Sequence, residues 1–577
     1  MAMSNRSRIR IIAWILAAVL GAAQAWISRF DLVNDTVSYL DMGDYFFHGH
    51  PAAIINGIWS PLYAFLLGLT LTIFRTTIYS EYPVVHLLLF VIFLFALYSF
   101  EYFISQLESF HHVHTPRTPD FAHDWAWTAI AYVLFLWASL GLIGVYETNP
   151  DMLVAAFFYL ACGFLLKIAA GHATWKTFCA LGVILGLGYL TKSVMFPLSI
   201  ALLLVASILA KREPRRILIA VSAFFLLALP FIALLSAQKG HLTFGDSGKY
   251  NYAVHINQIP RHHWQGSGSA FGAPIHPTRE ISTSPTAFEF NGPLPGTYPA
   301  WYDPTFWYEG VQPHVHLRQE LKAFARNAFG EFDIFFFALN GGLFTTLLVS
   351  FIASKDRIAV WKSVYRVWFL VVIPILAFCL YAAVHYENRY IGPFFAVLCV
   401  SLFSCILSAD DSTNRQLFSG IAVVQIFMLL WFFAPPIIRH LRHPWVQEQG
   451  SYQEIAEGAR EMGLRPGDPI ASLDFSNLGV AMWARLARVR IIGEVYFWPG
   501  DSDSTTSFWS ADAITQENLL QRFQQAGARA VVTSDTPVGA NASKWLRIGH
   551  SGEYILWLNQ QAKADSFKDI ATDRFSH

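Results

Sequence analysis

The chain has 577 residues, of which 54% are hydrophobic and only 14% are charged. Soluble globular proteins carry roughly 25% charged residues, so this composition excludes a soluble globular protein and indicates that most of the chain lies in lipid. Lysine plus arginine and aspartate plus glutamate number 40 each. Because this balance leaves no basic excess, the sequence predicts a membrane protein that does not bind nucleic acid.

Apolar runs recur along the first 440 residues, and each is close to the ~20 residues that a helix needs to cross the hydrocarbon core. The predicted spans are 9–28, 82–106, 125–146, 152–170, 176–190, 193–210, 217–236, 331–354, 363–384, 391–408 and 416–436. The sequence therefore predicts a mainly α-helical, polytopic membrane protein with about eleven spans.

One more apolar run, 59–75, opens with Trp-Ser-Pro. Basic residues concentrate on the cytoplasmic side of membrane proteins. If 59–75 crossed the membrane, the basic segment 211–216 would lie outside; if it lies at the outer surface, the segments 6–10, 211–216 and 355–366 all lie inside. We therefore predict an interfacial or re-entrant helix at 59–75.

The N-terminus combines Arg6, Arg8 and Arg10 with an apolar run that ends near Ala23-Gln-Ala25, which is also the pattern of a cleavable leader. We predict an uncleaved membrane anchor, because many spans follow it and because the acidic segment behind it gains from being tethered.

With this topology, five polar segments face the outside of the membrane. They are 29–81, 146–151, 190–193, 237–330 and 385–390. Since the ionisable residues of interest lie in these segments, the sequence predicts one site on the outer face.

From about residue 445 the composition becomes that of a soluble domain with alternating helices and strands. The periodicity predicts helices at 453–462, 478–487 and 517–526 and strands at 469–473, 489–495, 530–533 and 552–558. The sequence thus divides into a transmembrane domain at 1–440, with outer loops at 29–81 and 237–330, and a small extracytoplasmic α/β domain at 445–577.

Short motifs follow one another on the predicted outer face. In chain order they are Asp31-Leu-Val-Asn-Asp35-Thr-Val-Ser-Tyr39, Asn56-Gly-Ile-Trp59-Ser-Pro61-Leu62, Pro150-Asp151, Leu190-Thr-Lys192 and Arg389-Tyr390-Ile-Gly-Pro393.

These motifs resemble those of the polytopic GT-C glycosyltransferases that use polyprenyl-phosphate sugars, such as protein O-mannosyltransferases and the aminoarabinose transferases that act on lipid A. The resemblance covers about residues 1–440. It departs from the family at Asn34-Asp35, where Asp-Glu is common, so that Asp31 and Asp35 are both candidates for the catalytic base. The resemblance implies a polyprenyl-phosphate-linked sugar as donor and a lipid, protein or polysaccharide as acceptor.

Asp35 is the predicted general base. An acceptor hydroxyl that displaces a polyprenyl phosphate must lose its proton as it attacks, and a positioned carboxylate contributes about 10²–10⁴-fold in this role. Tyr39 would share the helical face of Asp35 if a helix begins there. The alternative is structural, because an aspartate before Thr-Val-Ser suits a helix N-cap.

Asp151 is the second predicted catalytic residue. The resemblance implies that it binds acceptor, sugar or metal, whereas the alternative is a carboxylate placed at a helix N-terminus by the helix dipole. Lys192 and Arg389 are predicted to hold the lipid phosphate, and their alternative is an ordinary contact with headgroups. The other predicted substrate-binding residues are Tyr39, Trp59, Glu387 and Tyr390.

The outer segment 237–330 is rich in aromatic residues and histidines, which suits acceptor binding or a folded cap. His262-His263 and His314-x-His316 would form a metal site only with a fixed geometry. No cofactor follows from the sequence, and a divalent metal is left open.

The prediction is a membrane glycosyltransferase of the inverting type in the plasma (inner) membrane, with its active site and C-terminal domain extracytoplasmic. A secondary transporter or a lipid flippase is the alternative. Transporters place ionisable residues near the middle of the bilayer, whereas the candidate residues here lie at the outer ends of the spans. This position favours the enzyme.

Overall fold

The computed structural model of the protein describes residues 5–114, 125–210, 213–260, 263–268, 270–338, 341–354, 356–408, 415–442, 451–473, 478–496, 508–538 and 542–559. The basic segments 211–216 and 355–366 are therefore described only in part, since Lys211, Arg212 and Lys355 lie outside these ranges, as does His262.

Residues up to 442 form mainly α-helices. Their bounds are α1 (Asn5–Ile27), α2 (Asn34–Phe47), α3 (Pro61–Phe74), α4 (Glu81–His114), α5 (Trp125–Leu136), α6 (Asp151–Ala169), α7 (Trp175–Thr191), α8 (Met195–Leu209), α9 (Pro214–Lys239), α10 (Ser247–His255), α11 (Pro299–Tyr302), α12 (Pro304–Trp307), α13 (Leu317–Phe337), α14 (Gly342–Ala353), α15 (Arg357–Arg366), α16 (Phe369–Ala382), α17 (Asn388–Ser408) and α18 (Arg415–Arg442). A π-helical turn, Trp137–Ile143, continues α5.

Seven helices of the described part are long and apolar enough to cross a membrane. The pairs α13–α14 and α15–α16 pass the same test together, although each pair bends by more than 70° at a short break, and they raise the number to nine. The two remaining predicted spans coincide with α7 and α8, which have only 17 and 15 residues. The predicted mainly α-helical, polytopic fold is confirmed, and the predicted count of about eleven includes these two shorter helices.

The run 59–75 forms the 14-residue helix α3, which begins at Pro61. At 1.5 Å per residue this helix is about 21 Å long, which is shorter than the ~30 Å hydrocarbon core. It belongs with α7 and α8 among the shorter apolar helices of the described part, and its place at the membrane surface stays a prediction.

The C-terminal region forms an α/β structure, as predicted. Its elements are α19 (Tyr452–Glu461), β3 (Pro469–Ser472), α20 (Leu478–Ala487), β4 (Arg490–Val495), α21 (Ala513–Gln525), β5 (Ala530–Thr533), β6 (Leu546–Arg547) and β7 (Tyr554–Trp557).

The seven-stranded sheet of this region takes two strands from the outer segment 237–330, which we call the cap segment. These strands are β1 (Arg279–Thr283) and β2 (Thr286–Glu289), and the strand order is β1-β2-β4-β3-β5-β7-β6. β2 pairs antiparallel with β4, whereas β3 pairs parallel with both β4 and β5. Sequence periodicity did not predict this pairing. The division at 440/445 stays a prediction, and the sheet joins residues from both sides of it.

The helix α2 packs closely on α3 through two glycines. A Cβ atom added to Gly43 would lie 2.4 Å from the Ala64 carbonyl oxygen, and one added to Gly68 would lie 2.6 Å from the Gly43 carbonyl oxygen. Since real side chains do not tolerate such distances, only glycine permits this crossing. The close contact fixes α2, which carries Asp35, against α3.

The helix α1 is bound to α4 by a partly buried ion-pair cluster. The Arg10 guanidinium lies 2.5 Å from Glu101 and 2.7 Å from Glu108, and the Trp127 indole N–H donates to Glu108 at 2.8 Å. These contacts make α1 part of the helical bundle, and the uncleaved anchor stays a prediction.

We expect Arg10→Met to destabilise the protein, because it leaves two neighbouring carboxylates without this cation. Removing one partner of a buried ion pair costs about 3–5 kcal/mol in soluble proteins. Thermal unfolding in detergent should show a lower midpoint. The matched control is Arg8→Met, since Arg8 is exposed on the same helix; equal midpoints for the two variants would contradict the expectation.

Candidate active site

One open cavity of about 670 Å³ lies where the helical bundle meets the cap segment. Its wall contains eight residues that the sequence singled out as catalytic or substrate-binding: Asp35, Tyr39, Trp59, Asp151, Lys192, Glu387, Arg389 and Tyr390. Asp31, the other candidate for the base, does not line it. The structure therefore brings all eight together, and their individual roles stay predictions.

Four charged residues of the cavity come from the ends of four helices. Asp35 is the second residue of α2 and Asp151 is the first residue of α6. Lys192 directly follows α7, and Arg389 is the second residue of α17. Helix ends place side chains at the border of the bundle rather than in its middle. This is why four residues far apart in sequence meet in one cavity.

Arg389 is the electrostatic centre of the cavity. Its guanidinium nitrogens lie 2.8 Å from Glu387, 3.1 Å from Glu147, 3.5 Å from Asp35 and 3.7 Å from Asp151. The planar guanidinium presents donors in several directions, so one arginine can face four carboxylates from three parts of the chain. Its side chain is only 12% exposed.

Lys192 binds the opposite side of Asp151. The Lys192 Nζ donates to Asp151 Oδ1 at 2.5 Å and lies 3.7 Å from the centre of the Tyr390 ring. Burial lowers the pKa of Lys192, Asp151 opposes this shift, and the positive charge of Arg389 reinforces it. Asp151 thus contacts both cations of the cavity.

Asp35 is held by the cap segment as well as by Arg389. The Trp301 indole N–H donates to Asp35 Oδ1 at 3.2 Å. Removal from water raises the pKa of Asp35, although Arg389 and the Trp301 hydrogen bond both act to lower it. The N-cap position of α2 is Val33 rather than Asp35. The structural alternative, in which Asp35 caps the helix, is therefore wrong.

Aromatic rings line the wall next to Asp35. The Tyr39 ring lies 5.3 Å from Trp59 and 5.1 Å from Tyr63, and Trp59 lies 5.9 Å from Trp301. Tyr39 and Asp35 share a face of α2, as the sequence predicted for a helix that begins there. The flat apolar faces suit the rings of a sugar or the isoprene units of a lipid.

Glu147, Trp301 and Lys249 line the cavity but were not among the predicted site residues. Glu147 lies in the predicted outer segment 146–151, where Asp151 was chosen instead, and Trp301 lies in the aromatic part of the cap segment. Both contact predicted site residues. Lys249, near the start of α10, also lines the cavity, and no motif of the sequence surrounds it. Only the fold of the cap segment brings it there.

Metal binding by the predicted histidine pairs gains no support. His263 Nε2 lies 2.6 Å from Glu494 Oε1, and His314 Nε2 lies 2.8 Å from the Ala270 carbonyl oxygen. His262 lies outside the described residues. In the part of the chain that the structure describes, no three His, Cys, Asp or Glu side chains are arranged to hold a metal ion. Metal dependence is still open.

Residues 123–238 match the family model described as dolichyl-phosphate-mannose-protein mannosyltransferase. This segment contains Asp151 and Lys192 and spans α5 to α9. No curated protein matches the sequence.

The structure is similar to that of ArnT from Cupriavidus metallidurans bound to undecaprenyl phosphate, with a TM-score of 0.53 and 12% sequence identity over 96% of this chain and 98% of that one. The protein has the GT-C glycosyltransferase fold. The apo form of the same ArnT gives a TM-score of 0.50 at 13% identity, covering 96% of this chain and 99% of ArnT. An oligosaccharyltransferase of Archaeoglobus fulgidus gives 0.46 at 14% identity, covering 90% of this chain and 67% of that protein.

The GT-C fold extends to the C-terminal region, since the ArnT match includes nearly the whole of both chains. The sequence resemblance reached only about residue 440. The structural comparison thus relates the α/β region to the fold as well, and it confirms the predicted resemblance.

We expect the Asp35 carboxyl to titrate above pH 3.8, the ordinary value for aspartate, because burial raises its pKa. Trp301→Phe should raise this pKa further, since it removes a donor that favours the carboxylate. Infrared titration, with Asp35→Asn as the difference reference, measures both values. Trp307→Phe is the matched control, because the Trp307 indole donates to the Pro299 carbonyl. If the pKa of Asp35 in Trp301→Phe equals that of the wild type, the Trp301 hydrogen bond does not stabilise the carboxylate and the prediction is wrong.

Proposed function

We propose that the protein transfers a sugar from a polyprenyl phosphate to an acceptor hydroxyl. The observation that carries this proposal is that one cavity joins a carboxylate of raised pKa, Asp35, to two cations, Lys192 and Arg389. The GT-C fold supports it, as do the undecaprenyl phosphate bound to ArnT and the dolichyl-phosphate-mannose description of the matching family model.

In the proposed reaction the acceptor oxygen attacks the anomeric carbon, and the hydroxyl proton passes to Asp35. The bond between the anomeric carbon and the phosphate oxygen breaks, so polyprenyl phosphate leaves with the bonding electron pair. A single displacement inverts the anomeric configuration. The raised pKa makes Asp35 a stronger base than an ordinary carboxylate, and a positioned base contributes about 10²–10⁴-fold.

Arg389 connects the base to the leaving group in this proposal. Before transfer, its positive charge faces the Asp35 carboxylate at 3.5 Å. When Asp35 takes up the proton it loses its charge, and at the same moment the departing phosphate gains negative charge. The guanidinium can then act on the phosphate through a bidentate contact. One such donor, aimed at developing charge, is worth about 10²–10³-fold in rate.

Lys192 is the second phosphate-binding cation, and Asp151 holds both cations in place. The contacts of Asp151 with Lys192 at 2.5 Å and with Arg389 at 3.7 Å support this role. Glu387 and Glu147 hold Arg389 from its other sides. Tyr39, Trp59 and Tyr390 provide the aromatic wall against which the sugar or the first isoprene units would pack.

The proposed site belongs to the outer side of a plasma (inner) membrane, and the acceptor is a lipid, a protein or a polysaccharide. The long apolar helices of the described part support a membrane location. The charged residues of the cavity lie at helix ends, which agrees with chemistry at a membrane surface rather than with the mid-bilayer site of a transporter.

We expect Asp35→Asn to reduce transfer at least 100-fold, because the amide cannot accept the hydroxyl proton. The assay measures release of polyprenyl phosphate from a purified polyprenyl-phosphate sugar in the presence of acceptor. Asp31→Asn is the control, since Asp31 lies in the same acidic stretch but is exposed and does not line the cavity. Undiminished turnover in Asp35→Asn would remove Asp35 from the mechanism. Transport of an intact solute into proteoliposomes, without cleavage of the donor, would support the transporter instead.

We expect Arg389→Gln and Lys192→Met to weaken binding of polyprenyl phosphate about 10–100-fold each, since a hydrogen bond to a charged group is worth about 1.5–3 kcal/mol. Calorimetric titration in detergent micelles measures the affinity. The control for charge is Arg29→Gln, because Arg29 stacks on Trp26 and Phe30 outside the cavity. Wild-type affinity in both cavity variants would exclude them as the phosphate site.

A further inference from the structure

Arg485 of α20 is a buried arginine that joins the C-terminal region to the helical bundle. Its side chain is only 3% exposed, and each part of the guanidinium donates to a different carboxylate. NH1 lies 2.7 Å from Asp41, NH2 lies 2.9 Å from Asp44 and Nε lies 2.9 Å from Glu81. The neighbouring Arg488 adds a bond of 2.7 Å to Glu81. We call these five residues the Arg485 cluster.

Two carboxylates of the Arg485 cluster lie on the helix that carries the proposed base. Asp41 and Asp44 follow Asp35 on α2 by six and nine residues, which corresponds to rotations of about 240° and 180° around the helix. They therefore project from the side of α2 opposite to Asp35 and Tyr39. One face of this helix lines the cavity, and the other face is bound by Arg485.

Asp41 also holds the cap segment. It accepts hydrogen bonds from the Thr297 main-chain N–H at 2.7 Å and from the Thr297 hydroxyl at 3.0 Å. Four residues later, the Trp301 indole N–H donates to Asp35, and the Trp301 carbonyl accepts from the Ser38 hydroxyl at 2.9 Å. The cap segment thus contacts α2 at Asp41, at Ser38 and at the base itself.

We infer that Arg485 is a positioning residue. It holds α2 and the cap segment in the relative position in which the Trp301 indole donates to Asp35. This inference rests on the proposed function and extends it, because it gives the C-terminal region a part in the transfer reaction. Arg485 does not touch the cavity, and it acts through Asp41 and Asp44.

The shape of the guanidinium explains why this position requires arginine. Its planar fork reaches three carboxylates at once, whereas a lysine ammonium is a single point charge on a flexible stem. A lysine would keep the positive charge and lose the simultaneous contacts. α2 would then be held less firmly, and a displacement of a reacting group by about 1 Å can cost about 10²-fold in rate.

The test compares Arg485→Lys with Arg529→Lys in the full-length protein. Arg529 is a matched control, because it forms an ion pair of 2.5 Å with Asp468 within the C-terminal region and does not contact α2. We expect Arg485→Lys to lower kcat about 10–100-fold while KM for donor and acceptor stays within twofold. Hydrogen exchange at the main-chain amides of residues 34–40 should become faster. Arg529→Lys should leave kcat, KM and the hydrogen exchange of residues 34–40 unchanged.

A second variant provides a test if Arg485→Lys fails to fold. Thr297→Val removes only the hydroxyl bond to Asp41 and keeps the main-chain bond, so it should fold normally and reduce kcat by a smaller factor in the same direction.

Unchanged kcat in both Arg485→Lys and Thr297→Val would overturn the inference. A raised KM for acceptor with unchanged kcat would also overturn it, because that result would assign the C-terminal region to acceptor binding. If the wild type releases no polyprenyl phosphate, the proposed function fails instead. The faster exchange at residues 34–40 would still show that Arg485 orders α2.

Discussion

The cavity depends on one constraint: a largely buried guanidinium is surrounded by carboxylates. Arg389 faces Asp35, Glu147, Asp151 and Glu387 at distances between 2.8 and 3.7 Å. Arg389 and Asp151 are largely buried, and a buried charge is costly unless it is paired, so the arginine and the acids around it stabilise one another. The charges therefore fix the relative positions of α2, α6 and α17.

The same balance explains how the cavity can accept an anion. Four carboxylates face Arg389, and Lys192 is bound to one of them. A phosphate that binds Arg389 or Lys192 must take over part of the coordination of these two cations. In the proposed reaction the neutralisation of Asp35 releases one contact of Arg389, so proton transfer and phosphate departure support each other. A cavity with free cations would bind phosphate more tightly and release it less readily.

The sequence predicted much of this site because its signals are local. Pro150 and the acidic first turn indicate a helix that begins at Asp151, and α6 does begin there. Lys192 and Arg389 follow or open apolar runs, so hydropathy alone places them at helix ends. All eight predicted site residues line the cavity. In the C-terminal region, the predicted helix at 478–487 and strand at 530–533 have the bounds of α20 and β5.

Features that depend on distant partners could not be predicted in this way. Arg485 stands in an apolar helix with no neighbouring acid in sequence, and its partners lie about 400 residues earlier. The role of Trp301 depends on how the cap segment folds over α2. Sequence periodicity predicts whether a residue is buried. It does not predict which distant residue it contacts in the folded protein.

The pairing of β2 with β4 has a consequence for biosynthesis. Ala287 lies opposite Val495, about 200 residues later, and ribosomes add roughly 5–20 residues per second. The β1–β2 hairpin must therefore wait about 10–40 s for its partner, with an unpaired edge of the kind that promotes aggregation. The edge of β2 that β4 covers in the folded protein stays unpaired during that time.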